Sequence, residues 1–272
     1  MPKRPEQNPP PVWLFFAIAF AFSWIVWLFP LLSAKGIIPL PPSAKVPLLM
    51  LGAFGPFVAA FVMLYAGGGT SAMVAFARRA LRYRLPFACL VASLLLFPLL
   101  AFLAATIWAT QGGPPVAIGV SLGHVPMLLL VLFFLGGSFQ EEFGWAYAID
   151  RLGQRFALLP ATIVLGLIWG CWHLPLFFIT GLSQSFMPFW AFIVLTVSVR
   201  VIYVWAYEAA QKSILATLVF HTSLNFSFNV FTLLQSVPHG NENGFVDLAL
   251  LSALAASAIA VTYAPYRVGI SG

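Results

Sequence analysis

Charge is what this sequence has least of. Asp, Glu, Lys and Arg together make up 7% of its 272 residues, against about 25% in an ordinary soluble domain. A water-soluble domain of this length has far too few charges to cover its surface, so most of the exterior must face lipid. Cysteine is also scarce. Cys89 and Cys171 lie inside apolar runs with no CxxC spacing, which excludes a disulfide framework and a thiolate metal site and leaves them as small core residues. HExxH is missing, so no zincin helix is present. The formal net charge of +6 does not indicate nucleic acid, because the basic residues occupy short gaps between apolar runs and form no basic face.

What fills the chain is hydrophobic sequence, 61% of it. Apolar runs of spanning length fall near 12–33, 46–66, 87–109, 125–149, 157–180, 188–209, 213–235 and 246–265. They predict an all-α, polytopic membrane protein of about eight transmembrane helices. Residues 1–11 form a polar, proline-rich tail, 12–265 one transmembrane domain and 266–272 a C-terminal tail. With the N-terminus in the cytoplasm, the inside segments hold Lys3, Arg4, Arg78, Arg79, Arg82, Arg84, Arg151, Arg155, Lys212 and Arg267, and the outside ones only Lys35 and Lys45. This ten-to-two bias predicts a multi-pass protein with both termini cytoplasmic. The stretch from Ala77 to Arg84 suits the cytoplasmic membrane surface.

Ionisable side chains inside spans cost several kcal/mol unless paired or hydrated, which makes each a functional candidate. Here they are Glu141 and Glu142 in the fourth span, His173 in the fifth, Arg200 in the sixth, and His221 with Asn225 in the seventh. At about 1.5 Å per residue, Glu141, His221 and Asn225 lie roughly 14–18 Å from the cytoplasmic ends of their helices, with His173 somewhat deeper, so one shared cavity, reached from the cytoplasmic side, is expected. His221 and Asn225 share a helix face, whereas Glu141 and Glu142 point about 100° apart. Alone, either histidine reads as a packing residue, and Asn229 as interhelical glue. His124 and His239 lie at outer loop edges without assigned chemistry. Together, the intramembrane groups make a hydrolytic set. A carboxylate with a histidine beside it can deprotonate water, and His221 with Asn225 can donate to a developing oxyanion.

Three motifs stand in order: Glu141-Glu142-Phe143-Gly144-Trp145, Trp169-Gly170-Cys171-Trp172-His173, and His221-Thr222-Ser223-Leu224-Asn225. Over residues 139–229 the chain resembles the CPBP intramembrane proteases, the type II CAAX prenyl endopeptidase family. That resemblance implies a glutamic-type intramembrane endopeptidase of eight helices. It implies that Glu141 and His173 activate water and that His221 and Asn225 stabilise the oxyanion, with Glu142, Trp145 and Trp169 in support. Two departures stand out. Trp169 replaces the family's usual Phe, and Ala146 stands where Arg is common, leaving Glu142 without an i,i+4 partner. Arg200, matched to Glu142 in depth at roughly 12 Å from the cytoplasmic ends, is expected to pair with it from a neighbouring helix.

The expected activity is hydrolysis of a peptide bond in a membrane-associated substrate, without a cofactor. The expected partners are membrane lipid and a lipidated or hydrophobic peptide, a prenylated CAAX tail being what the resemblance implies. One alternative keeps the residues and adds zinc on Glu141, His173 and His221. Another is a non-catalytic membrane protein serving as scaffold, in bacteriocin immunity or in transport.

Overall fold

A computed structural model describes residues 10–231, 233 and 242–262. Lys3, Arg4, His239, Arg267, the C-terminal tail and most of the N-terminal one lie outside the described residues. Among the described residues, ten α-helices run in chain order: α1 (Val12–Ala34), α2 (Pro42–Ala53), α3 (Gly55–Ala77), α4 (Phe87–Thr110), α5 (Val125–Leu135), α6 (Ser138–Leu152), α7 (Leu158–Trp172), α8 (Phe189–Ala209), α9 (Ile214–Val230) and α10 (Glu242–Ala260). Five spans, one of them α7 extended through its 3-10 turn to Phe178, are long and apolar enough to cross a membrane, and a bent α5–α6 pair makes a sixth. α9 and most of α10 are shorter apolar helices. The chain is an integral, multi-pass, all-α membrane protein.

Three predicted spans differ from the helices observed. The run at 46–66 crosses a break, because α2 ends at Ala53 and α3 restarts at Gly55. The run at 125–149 is two helices bent by 42° at Gly136-Gly137, where Gly137 has φ +105°, a conformation that favours glycine. The run at 157–180 is α-helical only to Trp172, continuing as a 3-10 turn over Leu174–Phe178. Continuous hydrophobicity reports length in lipid and is blind to backbone breaks, so it merged each pair.

The core is built where helices approach closely. On α7, a Cβ at Gly166 would lie 2.6 Å from Val197 Cα, and one at Gly170 2.7 Å from Thr196 Oγ1. Two small residues four apart let α7 and α8 pack backbone to backbone, the usual device where lipid supplies no hydrophobic drive between helices. α10 covers α8 and α4, and α3 packs on α1 and α6.

One end of the bundle carries the cationic residues. Arg79 pairs with Asp150 at 2.6 Å and Lys212 with the same carboxylate at 3.1 Å, while Arg82 donates to the Gln211 carbonyl. The Ala77–Arg84 stretch contributes a 3-10 turn, Arg78–Leu81, to this end. Cys89 is buried, whereas Cys171 faces outward, because α7 turns Trp169 and Trp172 inward and Cys171 lies on its other side.

Candidate functional site

The site begins at the α5–α6 kink. Gln140 fixes it from two sides: its Oε1 accepts from the Gly137 N–H at 3.0 Å, and its Nε2 donates to the Met50 carbonyl of α2 at 2.6 Å. Asn225 closes it from α9, donating Nδ2–H to the Gly136 carbonyl at 2.6 Å. A side chain at Gly137 would press on Glu141 Oε1 and the His221 ring. Sequence reasoning passed over Gly137 and Gln140. The signal was there as a Gly-Gly doublet inside an apolar run followed by a polar residue.

The two adjacent glutamates go separate ways, as the 100° step between neighbours on a helix demands. Glu141 lines a cavity of about 360 Å³ together with His173, His221, Asn225 and Trp169. Its Oε2 accepts the indole N–H of Trp169 at 2.6 Å and that of Trp145 at 3.2 Å, which leaves Oε1 for another partner. Glu142 is fully buried and does not line the cavity. Arg200 of α8 grips it in a fork, Nη1 to Oε2 at 2.9 Å and Nη2 to Oε1 at 3.2 Å, so the pairing expected from matched depth is present. Ala146 packs into the core, and the cation it lacks is supplied from the neighbouring helix.

The histidine tautomers follow from their partners. His173 Nδ1 lies 2.9 Å from the Trp169 carbonyl, and a carbonyl can only accept, so Nδ1 carries the proton and Nε2 presents its lone pair. His221 Nδ1 lies 2.9 Å from Glu142 Oε1. Donation to that carboxylate fixes the ring and leaves Nε2 for the cavity, an orienting arrangement that recurs wherever a carboxylate holds an active imidazole.

Trp169 is the hub. Its ring centroid lies 5.7 Å from each of the His173 and His221 rings, its face stacks against the Arg200 guanidinium at 4.3 Å, and its N–H binds Glu141. A Phe, as the resembling family carries here, would keep the stacking and lose the hydrogen bond. Trp169→Phe is therefore expected to lower kcat for hydrolysis with KM nearly unchanged. Removing a hydrogen bond to a charged group costs about 1.5 kcal/mol, about tenfold in rate. Steady-state kinetics on purified protein would show it.

Other candidates fall elsewhere. His124 accepts or donates only to Ser121 on an exposed loop. Asn229, expected to bridge helices, instead donates to the Asn225 carbonyl four residues back on its own helix. No group of three His, Cys, Asp or Glu side chains among the described residues is placed to hold a metal ion, so Glu141, His173 and His221 do not form a preformed three-donor set.

Residues 123–227 match the family model described as Type II CAAX prenyl endopeptidase Rce1-like. The chain is also 32% identical over 122 residues to CAAX prenyl protease 2 of Methanococcus maripaludis, an alignment covering 42% of this chain and 44% of that relative. The chain thus spans less than half the length of the curated relative it matches. The matched segment contains all three motifs, with Glu141, Glu142, His173, Arg200, His221 and Asn225. Over this segment, the chain is similar to the type II CAAX prenyl endopeptidase family.

Proposed function

We propose that this protein is an intramembrane endopeptidase of the glutamic type, acting on a hydrophobic or lipidated peptide in the membrane. The observation that carries the reading is the division of labour between two adjacent carboxylates. Glu142 is neutralised by Arg200 and spent on orienting His221, while Glu141 faces the cavity beside a histidine whose Nε2 is unprotonated. In the proposed reaction, Glu141 Oε1 positions a water and His173 Nε2 takes its proton as the oxygen attacks the scissile carbonyl carbon. The second Nδ2–H of Asn225 donates to the oxyanion of the tetrahedral intermediate, and His221 donates from Nε2 as well when its ring carries both protons, Nδ1–H being held by Glu142. The proton held at His173 passes to the leaving nitrogen as the C–N bond breaks, giving a carboxylic acid and an amine, the acid's proton then passing to the amine to leave a carboxylate and an ammonium group.

The family and the name of the archaeal relative support a CAAX prenyl protease-like activity, and the apolar cavity walls support a greasy substrate. The test is cleavage of prenylated and non-prenylated CAAX peptides by the purified protein in detergent, with and without chelator. Cleavage that survives exhaustive chelation is expected. Loss on chelation with recovery on added zinc would replace this mechanism by one in which Glu141, His173 and His221 hold the metal.

A further inference from the structure

A second cavity, of about 290 Å³, lies at the cationic end of the bundle. A break in α3 shapes one wall of it. In a straight helix Phe76 would stand about 20 Å from Met63 and on nearly the opposite face, but α3 is kinked at Gly69, whose φ of +64° favours glycine. Met63 and Leu64 before the kink and Phe76 after it therefore face the same space. Opposite them stands the end of α6, where Tyr147, Asp150 and Arg151 share a face at i, i+3 and i+4, with Gln154 just beyond the helix. Pro10, ahead of α1, closes a third side.

Charge in this cavity is unbalanced. Asp150 is already shared: its Oδ2 accepts from Arg79 Nη1 at 2.6 Å and from the Tyr207 hydroxyl at 3.1 Å, and its Oδ1 from Lys212 at 3.1 Å. Arg151 has only neutral partners, Nη1 donating to Gln154 Oε1 at 3.0 Å and Nη2 to the Pro10 carbonyl at 3.4 Å. No carboxylate among the described residues pairs with it. Its Nε and the Nη2 of Arg79 are buried without a hydrogen-bond partner among the described residues. Buried donors with no acceptor are uncommon. These two belong to guanidinium groups in the wall of one cavity, and the acceptor that suits them is an anion. The Tyr147 hydroxyl and the Gln154 amide nitrogen add neutral donors, while Met63, Leu64 and Phe76 make the facing wall apolar. We infer that this cavity binds a phosphate group, carried by an anionic phospholipid of the surrounding membrane. A phosphate joined to an acylated glycerol has the same division of polarity as the cavity walls, and lipid phosphates lie where the basic ends of spanning helices emerge. Inorganic phosphate would satisfy the donors and leave the apolar wall uncovered.

The test is native mass spectrometry of the full chain, delipidated in detergent and offered dioleoyl phosphatidylglycerol, dioleoyl phosphatidylcholine or inorganic phosphate. One phosphatidylglycerol is expected to stay bound, at least about tenfold more tightly than phosphatidylcholine, the difference one charge-assisted hydrogen bond makes. Arg151→Gln is expected to lose that preference. Ala72→Phe, which fills the cavity from α3 and alters no charge, is expected to lose it too. Arg155→Gln, at the same end and outside the cavity lining, is expected to bind as the wild type does. The first two variants act from opposite walls, so misfolding of one leaves the other decisive. Undiminished binding by a folded Arg151→Gln or Ala72→Phe protein overturns the inference, as does an equal loss in Arg155→Gln, because the lipid is then held by diffuse surface charge. Displacement of phosphatidylglycerol by an equal concentration of inorganic phosphate also overturns it, since the cavity would then take a free anion. Binding is read without catalysis, so the result is independent of the peptidase reading.

Discussion

Glu141→Gln is expected to reduce peptide hydrolysis by about 10²–10⁴-fold, the range a general acid–base step contributes, because the water that His173 deprotonates loses the carboxylate that positions it, with the fold unchanged. Glutamine keeps the carbonyl oxygen that accepts from Trp169 and Trp145, so neither buried indole N–H is orphaned, and only the negative charge facing the cavity is removed. The effect is large because Glu141 is the only carboxylate among the cavity-lining residues. Glu142, though adjacent, faces away and is held by Arg200, so it cannot take over. The measurement is kcat on a fluorogenic peptide, with a melting curve run in parallel. An unchanged kcat with an unchanged melt would sink the assignment of Glu141, and a lower melt would show that the two indole contacts are structural.

The second large effect falls on stability. Arg200→Leu leaves the Glu142 carboxylate fully buried, with His221 as its one remaining partner among the described residues. Removing one partner of a buried ion pair costs about 3–5 kcal/mol, since the other charge is left without compensation in a medium of low polarity. The Glu142→Leu, Arg200→Leu double variant is expected to regain most of that stability, because a buried pair replaced by apolar groups of similar volume is often neutral. It is not expected to regain activity, because His221 Nδ1 then has no carboxylate to orient it. Unfolding in a mild detergent for the four members of the cycle supplies the coupling energy. Full activity in the double variant would mean that Glu142 serves only the fold.

These two predictions separate roles that one-dimensional reading could only partly separate. The Glu141-Glu142 pair was visible as an expense in a lipid-facing run, and the helical step between neighbours showed that only one could face a bound atom. Matched depth on two spans was enough to suggest Arg200 for Glu142, since both positions are counted from helix ends that cationic residues mark. What depth does not contain is azimuth. That Trp169 touches both histidines, Arg200 and Glu141 at once depends on how α6, α7, α8 and α9 are rotated about their axes, and rotation is set by small-residue contacts such as those at Gly166 and Gly170. The kink at Gly137 was missed for a related reason, because hydropathy averaged over a window does not register a single residue at positive φ.

The amino-acid sequence by itself determined that this is a helical membrane protein, because so few charges cannot clothe a soluble surface, and it determined which polar groups lie inside lipid. It also carried the orientation signal in the placement of its arginines. Only the tertiary structure decided which carboxylate meets the cavity and which one is spent on Arg200 and His221. Those properties arise from side chains on four different helices. Their mutual distances depend on helix rotation, backbone breaks and close packing, and no local periodicity encodes them.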